Sequence, residues 1–226
     1  NEIRTLVHDA ERYVALICIP LVAMTIVWSS EIILVFLSKE FLPASNILKI
    51  LALVALVRVL NRPWSVALRG SDRPDLTSIL SILSSILSII LMLILVPKRI
   101  PQLGLENLFG LGGEGAAYAV LISEITVGLS LRILSYKYLE ILPKSNFFVQ
   151  MIVATMVGIF MWQVQETITV DRWFELFFMS GLGGLLFLSI LLMLGSFTKK
   201  DFNFFWETLN PKSMKQYVGE ELKRDR

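Results

Sequence analysis

Gly110-Leu-Gly-Gly-Glu-Gly-Ala-Ala-Tyr-Ala-Val-Leu-Ile-Ser-Glu124 begins as a glycine-rich loop and becomes an apolar segment that runs on to about Leu134. Glycines at 110, 112, 113 and 115 permit tight or positive-φ backbone that other side chains forbid. Gly115, Ala116, Ala117 and Ala119 then put almost no bulk on the first helical turns, so a neighbouring helix can approach closely. Glu124 stands about midway along this apolar run. A carboxylate there is costly in a membrane, and a membrane is where the composition points.

Hydrophobic residues make up 55% of the 226 positions and charged residues only 18%, against about 25% charged in soluble domains. The mean hydropathy is +0.68. One cysteine (Cys18) and one histidine (His8) exclude a disulfide framework and a Cys/His metal cluster within this chain. The chain opens on polar Asn1-Glu-Ile-Arg-Thr without an initiator Met or a signal peptide, which predicts a segment of a longer protein.

Six apolar segments are long enough to cross a bilayer, which takes about 20 helical residues. They predict an all-α polytopic membrane protein with a six-span lobe over residues 1–196, the spans falling at about 13–35, 46–67, 76–96, 113–134, 147–164 and 173–196. Pro43, Pro74, Pro97, Pro101 and Pro143 punctuate the connections, whereas Pro20 and Pro63 lie inside spans and predict kinks. Fifteen basic residues flank the spans on the side holding both termini and five on the other, so the termini are expected in the cytoplasm. Trp28, Trp64, Trp162 and Trp173 fall near span ends, where amphipathic rings suit the headgroup region. Residues 197–226 read as a cytoplasmic tail, in which Phe202, Phe205, Trp206 and Leu209 share one helical face beside Lys199 and Lys200. That face suits the inner leaflet or the cytoplasmic ends of the bundle.

The third span carries Ser78, Ser81, Ser85 and Ser88 on one face, a pattern for helix packing through small residues or for lining a wet cavity. Ser180-Gly-Leu-Gly-Gly184 offers a similar small-residue contact in the last span.

Arg58 lies near the middle of the second span, where an ionisable group is a functional candidate by default. Arg62, Arg69 and Arg73 follow on nearly the same face if the helix runs unbroken past Pro63. Such a basic ladder suits phosphate or pyrophosphate, which guanidinium groups bind through paired hydrogen bonds. Ordinary flanking positive charge, partly snorkelling, is the alternative for Arg62, Arg69 and Arg73. Arg58 and Glu124 carry opposite charges at similar depth, and mutual pairing is the simplest relief for both. Glu124 is the expected gating or ion-coupling group. No nucleophile–base pair, metal-ligand cluster or Walker pattern occurs, so neither an enzyme nor a cofactor or nucleic-acid partner is expected.

The stretch from Gly110 to Glu124 resembles the loop and helix start in the second half of polysaccharide flippases, within the multidrug/oligosaccharidyl-lipid/polysaccharide exporter superfamily. Phe41-Leu-Pro-Ala-Ser-Asn-Ile-Leu-Lys-Ile-Leu-Ala-Leu53 is similar to that family's entry into the following span. Leu68-Arg-Gly-Ser-Asp-Arg-Pro74 matches in place and character. The resemblance extends from Asn1 to about Leu194. It implies the C-terminal of two helical lobes around a central cavity, and a lipid-linked oligosaccharide or polysaccharide precursor as substrate. The lipid bilayer and an N-terminal lobe of the same protein are the implied partners, and the cytoplasmic membrane the implied location. A drug/cation antiporter of the same superfamily, which would rely on Glu124, and a non-transporting membrane subunit or scaffold are the alternatives.

Overall fold

The computed structural model describes residues 2–71, 73–100, 105–106, 108–141, 147–168, 170 and 172–197. The tail from Lys199 onward, with its expected amphipathic face, lies outside the described residues, as do Pro101, Pro143 and Lys144.

The fold is all-α. Seven α-helices occur among the described residues: α1 (Glu2–Val27), α2 (Ser29–Phe36), α3 (Ala44–Gly70), α4 (Pro74–Leu95), α5 (Gly112–Leu139), α6 (Phe147–Thr167) and α7 (Trp173–Met193). Six of them are long and apolar enough to cross a membrane, which makes the chain a multi-pass membrane protein. A 3₁₀ turn at Lys39–Phe41 leads into α3, and Arg99–Ile100 pairs antiparallel with Leu105–Glu106 in the loop before α5.

The first span departs most from expectation. Its helix starts at Glu2 rather than near residue 13, so Glu11 and Arg12 lie on it rather than ahead of it. A break at Trp28 divides it from α2. Both interior prolines are accommodated: α1 runs through Pro20 and α3 through Pro63 without a break.

The helices pack in a row, α4 against α5, α5 against α3, α3 against α1 and α1 against α6, with α7 closing on α1 and α6. Two apolar cores form along it. Trp28, Phe187, Leu191 and Met161 belong to the larger, among α1, α3, α6 and α7. Trp64, Leu68, Leu131 and Val7 form the smaller, among α1, α3 and α5. Trp28 and Trp64 are both 0% exposed, so they serve as core residues rather than headgroup anchors. Trp162 and Trp173 are exposed, as the interfacial reading requires. In the last span Gly183 alone meets a neighbour closely, the thioether of Met24, whereas Gly181 and Gly184 face open space.

The glycine loop has a local task. Gly110 and Gly112 take φ of 65° and 54°, which only glycine adopts at no steric cost. That turn lets Leu111, Gly112 and Gly110 donate to the carbonyls of Leu95, Val96 and Pro97, satisfying the end of α4. Gly115 then lies so close that a Cβ on it would stand 2.6 Å from the Leu95 oxygen. The small residues of this stretch therefore join α4 to α5 with no gap.

Beyond α5, α4 has little company. Thr77 is its one buried residue, and Ser78, Ser81 and Ser85 are exposed. These three hydroxyls bond carbonyls one turn back on their own helix. The hydroxyls of Ser78, Ser81 and Ser85 thus bridge to no other helix among the described residues.

Candidate functional site: a mid-membrane ion pair

α3 and α5 run parallel, since their contacts keep a nearly constant offset of 66 to 68 residues from Asn46–Glu114 to Arg58–Glu124. Arg58 is one residue from the midpoint of α3, and Glu124 lies within two of the midpoint of α5. Their side chains meet. Arg58 donates through Nε at 2.9 Å and Nη2 at 2.7 Å, both to Oε1 of Glu124. The expected pairing is therefore present, with a geometry sequence could not supply. One carboxylate oxygen takes both bonds, leaving Nη1 of Arg58 without a hydrogen bond among the described residues.

Exposure decides what this pair can do. The Arg58 side chain is 56% exposed and that of Glu124 18%. An ion pair open at mid-depth cannot face hydrocarbon cheaply, so this face of the bundle calls for water or protein against it. Arg62 and Arg69 are exposed on the same helix, at about 40° and 20° from Arg58 in projection. Arg73 leaves the expected ladder: it precedes the first residue of α4, and its guanidinium lies 5.0 Å from the Tyr138 ring centroid.

A second polar group lies deeper in the bundle and nearer the termini, and sequence reading missed it. Arg132 donates through Nη2 to Glu11 at 2.7 Å and through Nη1 to Asn61 at 3.0 Å. It also reaches its own Gly128 carbonyl at 3.1 Å and stands 5.3 Å over the Trp64 ring. Glu11 is 7% exposed at its side chain, Arg132 21%. By sequence Arg132 reads as flanking positive charge and Glu11 as preceding the first span. The structure makes them partners inside the bundle.

Asn61 joins the two groups. Its Nδ2 donates to the Glu124 carbonyl at 3.1 Å while its Oδ1 accepts from Arg132. Gly128 makes room for it, since a Cβ there would lie 2.5 Å from Asn61 Oδ1. Polar contacts thus run in sequence along the α3–α5 seam, with Asn46 on Glu114 at 3.3 Å toward the opposite end. No group of three or more His, Cys, Asp or Glu among the described residues is placed to hold a metal ion.

In comparisons with protein families, with characterised proteins and with solved structures, nothing matches this chain.

Proposed function

We propose that this chain is the C-terminal helical lobe of a transporter that moves lipid-linked oligosaccharide or polysaccharide precursors across the cytoplasmic membrane, with both termini of the segment in the cytoplasm. The observation that carries the reading is the open Arg58–Glu124 pair halfway through the membrane. An oxyanion entering from the exposed side meets unused guanidinium donors and competes with Glu124 for the others. Arg62 and Arg69 extend the positive face toward the end of α3, where a phosphate or pyrophosphate linkage would first be drawn in. The other wall of the path belongs to a second lobe of the same protein. Glu124 acts as the gate, holding Arg58 until substrate arrives.

The test is a double-mutant cycle on flux in the full-length transporter. Arg58→Ala should cut translocation of a lipid-linked phosphosugar at least tenfold, and Arg58→Lys should restore only part, since an ammonium cannot form the paired contact. Strictly additive effects of Arg58→Ala and Glu124→Gln would remove the gate.

A further inference from the structure

On the far side of α3 from α5, a groove of about 490 Å³ opens among α1, α3 and α6. Its composition is graded. Ser30, Lys49, Trp162 and Gln165 line one end, and the body is walled by aliphatic side chains, Met151, Gly158 and Thr155, whose hydroxyl is taken up by the Met151 carbonyl of its own helix. From Gln165 to Met151 it follows fourteen residues of α6, about 21 Å at 1.5 Å per residue. Lys49 lies eight residues from the midpoint of α3, about 12 Å along the axis and so just inside a hydrocarbon half-thickness of about 15 Å. Its ammonium therefore reaches headgroup level. Among the described residues Lys49 makes no hydrogen bond or ion pair. Glu31 and Glu40, the acidic residues of α2 and of the 3₁₀ turn at this end, do not line the groove, and Glu31 instead accepts from Gln165 at 2.6 Å.

We infer that this groove holds one anionic phospholipid of the leaflet at the α2 end, its phosphate on Lys49 and one acyl chain along α6. The charge is complementary, the polar and apolar ends run in the order of an amphiphile, and Trp162 sits where an interfacial ring belongs. The inference rests on the six-span fold and not on the transport reading.

The experiment embeds the full chain in nanodiscs of dioleoylphosphatidylglycerol or dioleoylphosphatidylcholine and follows labelling of Lys49 by an amine-reactive reagent. Phosphatidylglycerol should protect Lys49 several-fold relative to phosphatidylcholine, while Lys39, exposed at the same end, labels equally in both. Native mass spectrometry should find one phosphatidylglycerol retained in preference to phosphatidylcholine. Lys49→Gln should level the two lipids. Gly158→Leu should reduce retention of both, since a Cβ at Gly158 meets nothing nearer than Val27 at 3.9 Å and the larger side chain extends into the groove. Equal protection of Lys49 in the two lipids overturns the proposal without any variant having to fold. Displacement of phosphatidylglycerol by an equimolar polyprenyl phosphate would also overturn it, assigning the groove to the isoprenoid.

Discussion

Arg132 and Glu11, 121 positions apart in the chain, meet at 2.7 Å inside the bundle and tie α5 to α1 across Asn61 of α3. Breaking a buried pair strands the remaining charge, at a cost of about 3–5 kcal/mol. Arg132→Ala and Glu11→Ala should each lower the unfolding free energy in detergent by that order. The double replacement Arg132→Met with Glu11→Leu, which removes both charges and keeps bulk, should cost markedly less than either single change. A double-variant loss equal to the sum of the two single losses, read from denaturant titrations, would show that the pair contributes no coupling.

Gly128 should be as sensitive as a charged residue. Gly128→Ala drives a Cβ into Asn61, where overpacking costs about 1–3 kcal/mol. Asn61→Ala removes the obstructing atoms, so the loss from Gly128→Ala should shrink on that background. The same denaturant titration checks it, and undiminished loss would place the strain elsewhere.

If the Arg58 face is wet, water-soluble reagents must reach it. A cysteine at exposed Ala55, one turn from Arg58, should react with a membrane-impermeant maleimide in embedded full-length protein lacking Cys18. A cysteine at exposed Ile82 on α4, set in an apolar surface, should react far more slowly. Comparable slow labelling at both positions would mean that the pair faces a dry surface.

The proposed orientation, with both termini in the cytoplasm, predicts that the loop ahead of α5 lies on the opposite side. Phe109 is 69% exposed there. On the same background, Phe109→Cys should label from outside intact cells, and Thr5→Cys only after the membrane is opened. The reverse pattern would invert the bundle.

The number of spans and their class were legible because each apolar run is long and the prolines fall between most of them. The start of α1 was not. Arg4, His8, Asp9, Glu11 and Arg12 look like a polar flank, yet they lie on the helix, where Arg132 receives Glu11 and Trp64 receives the His8 ring. That compensation comes from α3 and α5, so no window of local sequence contains it. Trp28 and Trp64 misled for the same reason: proximity to a span end says nothing about which way the ring points. The Arg58–Glu124 pair was accessible because depth alone suggested it, and one element of each sign stood at the right depth. Arg73 belongs on the ladder only if α3 continues that far, and the chain turns at Ser71 first.

The seam between α4 and α5 has a mechanical consequence. At one end Leu111, Gly112 and Gly110 bond the successive carbonyls of Leu95, Val96 and Pro97, where α4 ends, and Gly115 abuts the Leu95 backbone. At the other end the described side-chain contact is softer, the Arg73 guanidinium against the Tyr138 ring. The glycine loop is the tight joint of this helical hairpin. Any swing of α4 away from α5 must open at the Arg73 end and pivot about Leu95. A one-methyl change at Gly115 would press on the Leu95 backbone and spread the joint itself.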